Sequence, residues 1–291
     1  MTTGAQPPVA LTIAGSDSGA GAGIQADIKT MGALGVFGTT AITAVTAQNT
    51  AAVREIHHVP TAMVEAQIEA VLDDLPVAAV KTGMLGSAAV VEAVGRRAAA
   101  GDLPRLVVDP VMVASSGRIF LAEEGIEAYR RYLLPRALIT TPNLWEATLL
   151  AGMEPTGVED VEAMTDMARR IHQLGPSWVL VKGGHLPGVE PRSGGPPPDQ
   201  VADVLFDGSE VTVLTGSHVD TANTHGTGCS LSAAIAASLA RGTDVPTAVS
   251  VGKEFVHTAL RGGARWHLGQ GHGPLDHLGW TGRPPDVTAR R

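Results

Sequence analysis
The sequence predicts an α/β protein built on a mostly parallel sheet, with helices on both faces and a small hairpin at one edge. Three observations carry that expectation. Short apolar runs alternate with longer segments of helical period along most of the 291 residues. Polar and glycine residues collect where the runs end, and a Gly-rich loop, Asp220 to Ser232, leads straight into the longest Ala-rich helical pattern of the chain. Strands alternating with helices imply crossover connections, which cover a parallel sheet on both sides. No linker interrupts the pattern, so residues 9–278 are expected to form one domain, with 1–8 a mobile start and 279–291 a disordered tail.

Val9 to Ala14 is an apolar run ending in Gly15-Ser-Asp-Ser-Gly-Ala-Gly-Ala-Gly23, followed by helical spacing from Ile24 to Leu34. The loop is not a dinucleotide fingerprint: its third glycine falls at 23, and no acidic residue lies about twenty positions on. Nor is it a Walker loop, which needs Gly-Lys-Ser/Thr. Asp27, one turn into the helix, reads locally as a solvated charge at a helix N-terminus. Thr39 to Ala47 has a β-type composition and delivers Gln48 and Asn49 to a strand end, where parallel sheets bind ligands. An amide there can donate and accept toward a heterocycle edge, although Asn also suits a turn.

The alternation continues with helix Thr61 to Leu75, strand Val77 to Lys81, helix Ser87 to Ala99, strand Leu106 to Asp109, helix Glu123 to Tyr132 and strand Ala137 to Thr141. Asn143 and Glu146 then open a helix with capping-box spacing; the same placement could orient water around Mg²⁺ beside phosphates, and both readings stay open. Helix Val161 to Leu174 leads to strand Trp178 to Lys182, which ends on a cation suited to nucleotide phosphates. Residues 186–199 carry Gly and Pro and read as a flexible surface insertion. Val201 to Asp207 and Glu210 to Thr215 flank Gly208-Ser209 as the edge hairpin. Helices near Ser230 to Arg241 and Val245 to Arg261 complete the pattern.

The loop at 220–232 reads as an anion cradle. Gly226 and Gly228 allow a tight turn and a close approach, and the helix that follows aims its unpaired N–H groups and dipole at the loop. Cys229 lies in the first turn, where the dipole lowers a thiol pKa from about 8.5 toward neutrality, so it is a candidate proton acceptor. The plainer alternative is a helix capped by Thr224 or Thr227 with a small buried cysteine.

Composition narrows the class. A net charge of −8 and a pI near 5.6 argue against nucleic acid or an anionic membrane as partner. The one cysteine leaves no internal disulfide and no Cys-rich zinc site. Met1 to Pro8 lacks signal-peptide features, and no apolar run reaches about 18 residues, so a cytoplasmic enzyme of small molecules is expected.

Together these motifs resemble the ribokinase-like kinases, and most closely the bacterial hydroxymethylpyrimidine/phosphomethylpyrimidine kinases of thiamine biosynthesis. The resemblance runs nearly end to end: Ala14-Gly-Ser-Asp-Ser-Gly with Ala22-Gly-Ile-Gln-Ala-Asp27, Thr46-Ala-Gln48-Asn-Thr50, Gly83-Met-Leu, Asp109-Pro-Val-Met112, Thr141-Pro-Asn143 with Glu146, Val181-Lys-Gly-Gly-His185, Asn223-Thr-His-Gly-Thr-Gly-Cys229 and Gly271-His-Gly-Pro274. It implies a three-layer fold, a homodimer, ATP with Mg²⁺, a monovalent cation as a further candidate, and successive phosphorylation of a pyrimidine alcohol to monophosphate and diphosphate. By position it makes Gln48 the reader of the aminopyrimidine edge, with Gly15, Asp27, Met84 and Val111 lining that pocket. It makes Gly226, Thr227, Gly228 and Cys229 the anion hole and catalytic turn, and Lys182 and Asn143 nucleotide-binding. Glu146, with Asp109, is placed on the metal through water. Ala222 stands where the family usually has Lys, and Trp145 where Pro is common. A pyridoxal or pyridoxine kinase is the nearest alternative, because that ring also carries a hydroxymethyl group. A non-catalytic pyrimidine-binding protein is an alternative of another class, against which Lys182, Asn143, Glu146 and Cys229 all argue.

Overall fold
Nine strands form one sheet in the order β3-β2-β1-β4-β5-β6-β7-β8-β9. The structure, a computed structural model, describes residues 6–112, 121, 123–153, 160–184 and 200–282. The strands are β1 (Val9–Asp17), β2 (Phe37–Gln48), β3 (Val53–His58), β4 (Val77–Thr82), β5 (Val107–Val108), β6 (Ile139–Thr140), β7 (Trp178–Lys182), β8 (Gln200–Phe206) and β9 (Val211–Ser217). From β2 across to β7 neighbouring strands are parallel. The antiparallel strands are β3 at one edge and the β8–β9 hairpin at the other.

Period-two side chains sort the core into two layers. Leu11, Ile13, Val108, Val179, Val181, Val204 and Phe206 face one way, and Ala10, Val107, Leu180 and Leu205 face the other. The first face is covered by α2 (Thr61–Asp74), α3 (Ala88–Ala100), α4 (Glu123–Ala128), α5 (Leu144–Ala151) and α6 (Val161–His172). The second is covered by α1 (Gly23–Ala33), α7 (Thr227–Ala240) and α8 (Val245–Gly263). The helix-sheet-helix layering expected from sequence is therefore present. Among the described residues no helix is long and apolar enough to cross a membrane.

Several boundaries move. β3 is absent from the sequence reading, because its residues are largely exposed at a sheet edge and carry no apolar alternation. The helix expected to run to Tyr132 continues instead as a π turn, Tyr129–Leu133, and a 3₁₀ turn, Leu134–Arg136. Within the tail expected from 279, Trp280–Gly282 form a 3₁₀ turn, Trp280 stacks on Trp266 with centroids 6.1 Å apart, and Asp276 accepts the Trp280 and Thr281 N–H groups. The insertion at 186–199, His185, residues 1–5 of the expected mobile start and residues 283–291 lie outside the described residues.

Candidate active site
β1 pairs with β2 on one side and β4 on the other, so the chain changes direction across the sheet here, and ligands settle beyond the carboxyl ends at such a switch. A cavity of about 1190 Å³ lies there. It extends from Gly15, Gln48, Met84 and Val111 at one end, past Gly226 to Cys229, to Asp109, Asn143, Glu146 and Lys182. All but one of the substrate, anion-loop and nucleotide residues expected from the sequence line this single space. The exception is Asp27.

Asp27 is fully buried behind the wall rather than solvated on the helix end. It receives Thr12 Oγ1 at 2.6 Å and Lys81 Nζ at 2.8 Å. Burial raises its carboxyl above the ordinary value while the Lys81 ammonium pulls the other way. Lys81 lines the cavity although its side chain has no exposed surface. Desolvation opposes its charge, but Asp27, with Cys229 and Asp109 nearby, outweighs that cost and holds the ammonium above its ordinary pKa. Asp27 thus stands behind the lining and supports it through Lys81.

The anion loop takes its shape from Gly226. This residue is the N-cap of α7 with φ 89°, a left-handed conformation, and an added Cβ would collide with the Gly21 carbonyl. No side chain caps the helix: Thr227 Oγ1 donates to Thr224 O at 2.6 Å instead. The Thr-cap alternative is therefore set aside, and the first-turn N–H groups of Gly228 and Cys229 are left for an anion. A Cβ placed on Gly228 would lie 3.2 Å from Lys182 Nζ and 3.9 Å from Asp109 Oδ2, so backbone donors and the lysine meet at one point.

At that point Lys182 Nζ lies 3.1 Å from Asp109 Oδ1, which also accepts Thr141 Oγ1 at 3.3 Å. Ser232 Oγ donates to Asp109 Oδ2 at 3.1 Å. Burial works against the Lys182 charge, yet Asp109 and Glu146 hold its pKa above the ordinary value. Asn143 and Glu146 form a reciprocal capping box, each backbone N–H donating 2.9 Å to the other's side chain. The box does not exclude a second role, since both residues line the cavity. Burial, helped by Asp109 and resisted by Lys182, pushes the Glu146 carboxyl up to about 7.

The expectation for the Cys229 thiol is corrected. The helix end should lower its pKa, but burial dominates and, with Asp27 and Asp109 adding to it against Lys81, pushes the thiol up to about 11. At neutral pH it is a thiol.

Among the described residues no three His, Cys, Asp or Glu side chains gather to hold a bare metal ion. Asp109 and Glu146 already accept hydrogen bonds from protein donors, which suits an ion held through water and substrate phosphate.

Further residues escape the sequence reading. Asp17 accepts the Gly19, Gly21 and Ala22 N–H groups at 2.8, 3.1 and 2.9 Å, and it pairs with His225 Nε2 at 3.0 Å. His225 in turn reaches Gln48 at 3.2 Å. Lys253 is ion-paired with Asp203 and lines the cavity beside the β9 end. These partners lie far apart in sequence, so no local motif announces them.

A family model described as Phosphomethylpyrimidine kinase matches residues 17–276. The chain belongs to that family. It is 46% identical over 275 residues to the hydroxymethylpyrimidine/phosphomethylpyrimidine kinase of Streptomyces coelicolor, covering 94% of this chain and 96% of the relative. Among solved structures, the ADP complex of Bacillus subtilis pyridoxal kinase matches with TM-score 0.83 and 36% identity, covering 96% of this chain and all of that one. Clostridium difficile phosphomethylpyrimidine kinase matches with TM-score 0.73 and 39% identity over 87% of this chain and 99% of that one. Solved structures of similar shape thus include both a pyridoxal kinase and a phosphomethylpyrimidine kinase.

Proposed function
We propose that this protein is an ATP-dependent kinase that phosphorylates 4-amino-5-hydroxymethyl-2-methylpyrimidine and then converts its monophosphate to the diphosphate, in thiamine diphosphate biosynthesis. The observation that carries the reading is the meeting of Gly228, Lys182 and Asp109 in one cavity that Gln48, Met84 and Glu146 also line. The same reading makes it a cytoplasmic homodimer.

Phosphoryl transfer passes through a loose transition state, so positioning and charge neutralisation matter more than a strong base. Lys182 and the Gly228 and Cys229 N–H groups neutralise charge on the transferring group. Asp109 fixes the lysine, and the capping box fixes Asn143 and Glu146 beside it. Mg²⁺ would be held through water by Asp109 and Glu146 and would offset charge on the nucleotide phosphates. Gln48 orients the pyrimidine so that its alcohol faces the anion loop. Because the Cys229 thiol is protonated, the alcohol proton leaves late, onto the phosphoryl oxygens, and the loop contributes donors rather than a base.

The test is label transfer. With γ-³²P-labelled MgATP and hydroxymethylpyrimidine, label should appear first in the monophosphate and then in the diphosphate. ATP consumption that does not depend on the pyrimidine, or no transfer at all, would overturn the reading.

A further inference from the structure
The Gln48 backbone is pinned: its N–H donates to Ser18 Oγ at 2.8 Å, and Ser18 Oγ donates to its carbonyl at 2.7 Å. Only the side-chain amide remains to be oriented. Its two ends have the same shape, so the hydrogen-bond network decides which is oxygen and which is nitrogen. In the structure the nitrogen end lies 3.2 Å from His225 Nε2, and the oxygen end lies 3.2 Å from Thr46 Oγ1.

His225 Nε2 also lies 3.0 Å from Asp17 Oδ2. A carboxylate only accepts, so Nε2 must carry the hydrogen, whether the imidazole is neutral or charged. A protonated Nε2 cannot accept from an NH₂ group. The amide end facing it must therefore be oxygen. Thr46 agrees with this arrangement, because its hydroxyl donates to Ser16 O at 3.0 Å and leaves Oγ1 free to accept from Gln48.

We propose that Asp17 and His225 are positioning residues that turn the Gln48 amide with its oxygen toward His225 and its NH₂ toward Thr46, and so set which heterocycle edge the site accepts. The amide then offers the cavity one acceptor on the His225 side and one donor on the Thr46 side. The matching ligand edge is an exocyclic amine beside a ring nitrogen, with the amine nearer His225. This deepens the proposed function and rests on it for the identity of the ligand, whereas the orientation itself does not.

Two measurements test it. Long-range ¹H–¹⁵N correlation spectra of ¹⁵N-histidine protein, with His225 assigned by its loss in His225→Ala, read the tautomer without substrate. A protonated Nε2 supports the proposal, and an unprotonated Nε2 overturns it even if the enzyme phosphorylates pyrimidines well. In kinetics, His225→Ala should raise KM for hydroxymethylpyrimidine by roughly 10- to 100-fold while kcat changes by less than about threefold. His225→Gln supplies an amide donor to both Asp17 and Gln48, so it should bring KM back to within about threefold of wild type. Equal KM in all three proteins, or a kcat loss that His225→Gln does not repair, would overturn the positioning role. Melting temperature of each variant separates misfolding from lost orientation, and retained folding with unchanged KM counts against the proposal.

Discussion

At the scale of single residues the account rests on groups whose chemistry is set by what surrounds them. Gln48→Ala removes the half-buried amide proposed to pair with a heterocycle edge, so KM for hydroxymethylpyrimidine should rise with little change in kcat. An unchanged KM would remove Gln48 from recognition. Glu146 gives a pH signature. Its folded pKa, about 7, is raised above the ordinary 4.5, so below about pH 7 the carboxyl is neutral and cannot hold water around a cation. Wild-type kcat/KM for MgATP should therefore climb through about pH 7, whereas Glu146→Gln should be slow and lack that limb; a limb that persists in the variant assigns it elsewhere. The same raised pKa means that this group favours folding most below pH 4.5 and that its contribution is lost as pH rises through about 7. For Cys229, a thiol at about 11 is not a ready base, so Cys229→Ser should keep kcat within about tenfold. A loss of about 10² to 10⁴ would restore it as an essential base.

Much of this residue set is legible in sequence because Gln48, Asp109 and Lys182 stand at or just past the ends of β-patterned runs, where parallel sheets bind ligands. The state of Cys229 is not legible. The helix dipole can be read from the local sequence, but the burial that outweighs it arises only on folding, and the Asp27 and Asp109 charges that add to it are distant in the chain. His225 and Asp17 escape for the same reason, being 208 positions apart.

At the scale of elements, the site depends on how β1, β4 and α1 are fastened behind it. The Lys81–Asp27 pair joins β4 to α1 with no exposed side-chain surface on either partner. Removing one partner of such a pair leaves a buried charge uncompensated, at about 3–5 kcal/mol. Lys81→Met should lower the melting temperature markedly, and Lys81→Met with Asp27→Leu should recover much of the loss. Equal melting temperatures for wild type and Lys81→Met would show that the pair is structurally idle. Helices such as α2 and α6 could be read closely from period, since their buried faces repeat at helical spacing. Strand β3 could not, because an exposed edge strand has no apolar alternation to read, and β5 and β6 proved shorter than their apolar runs.

At the scale of the whole molecule, the parallel sheet brings segments from residues 14 to 272 to one end and encloses them in one cavity, with the start of α7 between its two halves. The layering was readable from the alternation of strands and helices, whereas the continuity of the cavity follows only from the folded topology. The central claim is that the Gln48 end of this cavity is built for an aminopyrimidine and the Lys182 end for a nucleotide. The direct measurement is kcat/KM with MgATP for hydroxymethylpyrimidine, its monophosphate, pyridoxal and pyridoxine on one enzyme preparation. The account predicts that both pyrimidines exceed pyridoxal and pyridoxine by at least about tenfold, because only they pair with both ends of the Gln48 amide. Preference for pyridoxal or pyridoxine, or turnover of none of the four, would contradict it.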